Sequence, residues 1–285
     1  MLFRSFNYVL DRDIFMEGWV NTKSFWFFDV GLQAQTPYVD DRELYDGTPL
    51  QRQAAFGGYA FMNTDSRERV QASFYFTEMR GVPRFERLNT IGGSLIFRPV
   101  PRVDGQLDLA YNETAGAIRQ ISVPSQTTST DDVTARASRT YILAPQQARS
   151  VSATLRATYA FTPFLTLQAY AQLFTAGISY GAPLQATRGP GRQTITIDEL
   201  TPADPASAPN ADERQIGLNV NVILRWEWRT GSTFYLVYAH QSSNDIAPPP
   251  GPRGLDFQGE LSAFGQPGVT HGDTVLLKVD LLSAL

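Results

Sequence analysis

Few side chains in this sequence are suited to covalent chemistry, and their spacing limits what they can do. His240 and His271 are the only imidazoles in 285 residues, and cysteine is absent. The two histidines do not have the short His-x-x-x-His spacing of a zinc site, and without thiols neither a thiolate metal centre nor a disulfide framework is possible. His240 lies beside Gln241 near the end of a strand-like stretch. It would act as a general base only with an acid and a nucleophile in hydrogen-bond reach. The plainer reading is a histidine at the rim of a sheet. A second concentration of chemistry is acidic: Asp40, Asp41, Glu43 and Asp46, interleaved with Arg42. Clustered carboxylates suit calcium, but the spacing is not that of an EF-hand loop. The third is a set of polar residues at alternate positions: Arg156, Gln168, Tyr170, Gln172, Asn219, Asn221, Arg225 and Glu227. On one face of a sheet they would line a solute path, or fill an interior in which charges pair across strands. No cofactor signature accompanies any of these groups.

The elements that position these residues read as β-strands of period two. In 151–161, Val151, Ala153, Leu155, Ala157, Tyr159 and Phe161 alternate with Ser152, Thr154, Arg156, Thr158 and Ala160. After Thr162-Pro163-Phe164, the residues Leu165, Leu167, Ala169, Ala171 and Leu173 alternate with Thr166, Gln168, Tyr170 and Gln172. Ile216, Leu218, Val220, Val222, Leu224, Trp226 and Trp228 continue the pattern, as do Val275, Leu277, Val279 and Leu281. The stretches 26–35, 70–77 and 106–112 behave alike. No apolar run approaches the roughly 18 residues of a membrane helix, a test that misses barrels because their strands alternate.

Connections sort into two kinds that alternate. Short turns are expected at 21–24, 64–67, 98–102, 162–164 and 230–232, and long Pro/Gly/Asp-rich connections at 36–53, 78–85, 114–149, 178–213 and 243–272. A membrane barrel has this asymmetry, with short periplasmic turns and longer outer loops. Parity makes Thr140-Tyr141-Ile142-Leu143 part of an outer loop or an upward extension of the next strand. Trp19, Trp26, Phe28, Phe97, Phe161, Phe164, Trp226, Trp228, Phe234 and Tyr235 gather near the short turns. Tyr38, Phe76, Tyr111, Phe174 and Tyr180 gather near the long connections. Both groups read as interfacial girdles. The expectation is one all-β domain over 1–285, an antiparallel up-and-down transmembrane β-barrel of about twelve strands. Its long loops are extracellular, its C-terminus is periplasmic, and its outward face lies against outer-membrane lipid. Net charge is −4 without a basic stripe, which argues against nucleic acid as a partner. An exported chain needs a signal, and none precedes Leu2-Phe3-Arg4-Ser5, so the true N-terminus is expected upstream.

Several stretches carry a family likeness. They are Tyr38-Val39-Asp40-Asp41-Arg42 with Gly47-Thr48-Pro49-Leu50, then Asn63-Thr64-Asp65-Ser66-Arg67, Arg139-Thr140-Tyr141-Ile142-Leu143, and 155–174. The most specific is Leu224-Arg225-Trp226-Glu227-Trp228-Arg229-Thr230-Gly231-Ser232-Thr233. Through these the chain resembles, over nearly its whole length, the C-terminal barrel domain of unknown function in bacterial surface proteins. The N-terminal part of those proteins looks like a family-9 carbohydrate-binding module. The resemblance implies an outer-membrane barrel, an absent glycan-binding half, and a structural tie between Asp40 or Asp41 and a nearby arginine. It supplies no reaction. Three functions compete: a barrel serving as anchor, channel or translocation path, with a carbohydrate or other small solute as partner; an outer-membrane hydrolase with its site at the rim; and a soluble all-β carbohydrate-binding module.

Overall fold

A computed structural model describes residues 12–82, 86–127, 138–188, 194–244, 264 and 269–282. In chain order the strands are β1 (Asp13–Asn21), β2 (Phe27–Gln35), β3 (Val39–Asp40), β4 (Leu50–Gln51), β5 (Ala54–Asn63), β6 (Val70–Val82), β7 (Arg87–Phe97), β8 (Val103–Gln120) and β9 (Ser125–Thr127). They continue as β10 (Ser138–Thr162), β11 (Leu165–Tyr180), β12 (Leu184–Arg188), β13 (Ile195–Thr196), β14 (Thr201–Pro202), β15 (Glu213–Arg229), β16 (Ser232–Asn244) and β17 (Thr270–Asp280). Among the described residues helix is confined to two short 3-10 turns, and no helix is long and apolar enough to cross a membrane.

Eleven strands form one antiparallel meander in the order β1-β2-β5-β6-β7-β8-β10-β11-β15-β16-β17. Twelve strands in a closed barrel were expected; among the described residues there are eleven on this path, and β1 and β17 do not meet. Any strand expected in 1–11 lies outside the described residues.

The register sorts side chains across the whole wall. One row of cross-strand partners runs Val20, Phe28, Met62, Phe74, Gly93, Leu109, Ala153, Leu173, Leu218, Ser242, His271. It begins beside the first short turn and ends beside the last long connection. Strands are therefore staggered along the wall, the offset that tilts strands in a curved sheet. Rows on either side of this one keep the same face apolar. The next runs Leu95, Leu107, Leu155, Ala171, Val220 and the one beyond it Phe97, Gly105, Ala157, Ala169, Val222, Tyr238, Val275. None of these residues is buried, and several of the larger ones are exposed, Leu155 at 47% and Val275 at 69%. Accessible surface totals 18207 Å², against roughly 12,000 Å² for a compact 31.6 kDa chain.

All five short connections lie at one end of the wall, as expected. At the other end two expected loops are largely strand. β6 runs to Val82 and β7 begins at Arg87, so 78–85 is not a long loop, and 114–149 is entered by β8 from one side and β10 from the other. The charged residues that resemble loop chemistry pair with one another instead. Glu78 reaches Arg80 at 2.7 Å and Arg87 at 3.5 Å, and Arg149 reaches Glu113 at 2.9 Å. Register places this belt on the apolar face, at its margin toward the long connections. Tyr141 and its neighbours are an upward extension of β10. Gly116, at φ 78°, accompanies the register shift where β8 enters this extension. A side chain there would strain the backbone.

The aromatic residues near the turns divide between the two faces. Phe28, Phe97, Trp226 and Phe234 share the apolar face, and Trp226 and Trp228 pack edge-to-face with centroids 6.2 Å apart. Trp19, Phe174 and Tyr235 lie on the opposite face, in register with Asp29, Ser152 and Arg225. Proximity to a turn does not fix a face; odd or even position does.

Candidate functional site

Two features carry polar chemistry: the second face of the wall and a cap at its long-connection end. Register puts Arg156, Gln168, Tyr170, Gln172, Asn219, Asn221, Arg225 and Glu227 on the face opposite the apolar rows. Arg156 faces Tyr170, which faces Asn221; Gln172 faces Asn219; Gln168 lies in register with Ile223; and Arg225 and Glu227 follow on β15. This face is largely self-paired. Arg156 binds Asp108 at 2.8 Å, Arg225 binds Glu227 at 2.9 Å, and Tyr170 donates to Gln172 at 2.9 Å. The Arg156 guanidinium also lies 5.5 Å from the Tyr170 ring centroid. Asp108 was not among the expected residues, although its even position on β8, opposite Thr154, would have identified it.

The cap is built from 36–53 and 194–203 packed on the extensions of β8 and β10. Its core consists of Leu44, Leu50, Ile118, Tyr141, Leu143, Ala186, Ile195, Ile197 and Leu200. β4 joins β13 in parallel and β3 antiparallel, which ties the two segments together. Fully burying each such Leu or Ile contributes about 1.5–3 kcal/mol, so the cap is a stable unit rather than a loose loop.

An ionic network lines this core. Arg52 is only 5% exposed, bonds Asp40 at 3.1 Å and Glu43 at 2.7 Å, and donates to the carbonyl of Ile118 at 2.8 Å. Arg119 bonds the same Glu43 at 2.6 Å. The expected tie of Asp40 or Asp41 to an arginine is therefore Asp40 to Arg52, with Asp41 exposed. Asp46 accepts from Tyr141 at 2.8 Å and from Arg139 at 2.5 Å. Burial alone would raise its pKa, but hydrogen bonds from Tyr141, Thr48 and Arg139 outweigh this and hold it below the usual carboxylate range. Asp40, Glu43 and Asp46 thus meet guanidinium groups, and among the described residues no group of three potential ligands converges on a metal position.

At the opposite end, the turn after β5 is fixed by Asp65, which accepts from the Arg67 guanidinium at 2.6 Å and the Arg67 backbone amide at 2.9 Å. Arg67 also lies 3.3 Å over the Phe25 ring of the neighbouring turn. The Arg67 side-chain bond, then its amide, lower the Asp65 pKa to about 2. A depressed carboxylate stabilises the fold above its unfolded value, and that contribution is lost as pH falls through about 2. The protection factors of the amides of 64–69, taken against the intrinsic exchange rate at each pH, should therefore fall between pH 4 and pH 2, and Asp65→Asn should show the lowered factors throughout. Unchanged factors in the variant would refute this role.

His240 does have an acid partner, which the sequence reading missed. Its Nδ1 lies 2.9 Å from Asp273 Oδ1, and Tyr238 donates to the same oxygen at 2.8 Å. Asp273 lies one residue beyond the connection expected at 243–272, inside β17. His271 is 6.1 Å from His240 between ring centroids. Ser242, in register with His271, is buried, and its Oγ has no partner among the described residues. The serine–histidine bond that would activate a nucleophile is therefore not formed.

The family model for DUF5916, a domain of unknown function, matches residues 4–249. The chain belongs to this family. No curated protein and no solved structure matches it. Within the DUF5916 match lie the cap, the arginines Arg52, Arg119 and Arg139 that bind its acids, and all eight polar-face residues. β17, with Asp273, lies beyond it.

Proposed function

We propose that this DUF5916 domain is the membrane-embedded wall of a bacterial outer-membrane protein. Its apolar face lies against lipid, its cap is extracellular and its C-terminus periplasmic. In this reading the wall anchors a partner module that binds carbohydrate, or forms a path along its polar face for a small solute or an exported segment.

One observation carries the reading. Along β10, positions of one parity meet two fates: Tyr141 and Leu143 are fully buried under the cap, whereas Leu155 and Tyr159 are bare. Arg149, of the same parity, belongs to the charged belt that divides them. Above the belt the protein removes its apolar groups from water; below it the same groups are left open. That difference is expected if the solvent changes from water to hydrocarbon at the belt. The edge-to-face tryptophans at the short-turn end mark the second boundary.

Membrane fractionation tests the reading. The protein should stay in the outer-membrane pellet through alkaline carbonate and urea washes and enter solution only with detergent. Recovery as a β-rich soluble protein without detergent would reject it in favour of a soluble module.

A further inference from the structure

All neighbours in the wall are antiparallel, so direction alternates along eleven strands. β1 and β17 consequently run the same way. They cannot close on each other as one more antiparallel pair, and an antiparallel wall closes only with an even count.

Among the described residues nothing covers either edge. All nine residues of β1 are exposed, and so are all of β17 but the last. On β1 this includes Phe15 and Trp19, on the face opposite Ile14 and Met16. Strands that remain free edges are blunted by lysine, proline, bulges or a covering loop. β1 contains no Lys, Arg or Pro, and its register with β2 is unbroken from Asp13 to Asn21. β17 is likewise unbroken against β16 and carries one lysine, Lys278. Each presents an intact ladder of backbone donors and acceptors.

We infer that β1 and β17 are bridged by an odd number of further antiparallel strands, supplied by a segment of the same polypeptide outside the described residues. A second copy in the same orientation offers only β1 or β17, which again run the wrong way. The meander favours the same polypeptide, because each wall strand already lies beside its chain neighbour. The chemistry of the bridging segment follows from the two edges. On one face it presents apolar side chains to Ile14, Met16 and Val20, and to Val275, Leu277 and Val279. On the other it brings a lysine or arginine opposite Glu17. There the Tyr59 hydroxyl lies 3.2 Å from both Glu17 and Asp29, and among the described residues no cation reaches either carboxylate. A basic cross-strand partner would complete this pair of acids. The inference concerns backbone direction, so it stands whether the apolar face meets lipid or protein.

Residues 1–285 contain no cysteine, so none of them competes with an introduced pair. In the full-length protein, Met16→Cys is combined in turn with Val275→Cys, Leu277→Cys and Val279→Cys. The expected result is no disulfide in any pair on mild oxidation, with amides of β1 and β17 as protected from exchange as those of β10 and β11. A disulfide within one chain would mean that the edges join directly in parallel, and would overturn the inference. A disulfide between two chains would overturn it in favour of self-association. Rapid exchange along either edge would overturn it by showing that edge unpaired.

Discussion

Arg52→Ala should destabilise the cap by about 3 kcal/mol, the lower end of the range for breaking a buried ion pair. The substitution leaves Glu43, whose side chain is 7% exposed, with one cation fewer, and leaves the Ile118 carbonyl without its guanidinium donor. The loss falls at the lower end because Arg119 still holds Glu43 at 2.6 Å and Asp40 is partly open to solvent. The wall should survive, since its ladders do not pass through Arg52. Limited proteolysis should therefore cut 36–53 and 194–203 rapidly in the variant, with the β-type circular dichroism unchanged. A cap that stays resistant would show that its apolar core suffices without the network.

Leu155→Arg should cost about 2–4 kcal/mol if the apolar face lies in hydrocarbon near its midplane. Leu155 sits between Leu107 and Ala171 in the middle of the apolar band. In water the same change at a half-exposed position would shift stability by no more than about 0.5 kcal/mol. Thr158→Arg is the matched control, on the opposite face in register with Asp104 and Gln168. Refolding yield and urea midpoint in lipid vesicles should fall sharply for Leu155→Arg and little for Thr158→Arg. Equal effects would remove the distinction between the two faces on which the membrane reading depends.

The wall was legible in the sequence because alternation is local: each strand reports its own two faces, and the eight polar-face residues from Arg156 to Glu227 lie on one of them. The strand ends were less legible. Glu78, Arg80 and Glu113 look like loop residues in isolation, and become strand residues only once their partners on neighbouring strands are known. The cap was the least legible part. Its pairing strands β3, β4 and β13 have two residues each, too few to show a period. Its contacts also join distant segments, as when Gln53 meets Asp198 across 145 positions. A likeness in 38–50 did point to an aspartate–arginine tie, but Arg52 and Arg119 become partners of one glutamate only when β8 is folded against the loop.

The pairing of β4 with β13 also bears on the order in which the chain assembles. Each hairpin of the wall that turns at 163–164 or 230–231 closes a loop of two residues, whereas Leu50 and Ile195 enclose most of the wall between them. Closing that loop in a chain not yet folded would cost about 3 kcal/mol more in entropy than closing one of about five residues. Successive hairpins remove this cost by bringing the two segments close before they pair. Cap formation should consequently be the late kinetic phase of refolding, with its amides gaining protection after those of β10 and β11. Slowing the hairpins should delay the cap equally. If protection appeared first at 50–51 and 195–196, the cap would instead be the nucleus around which the wall is laid down.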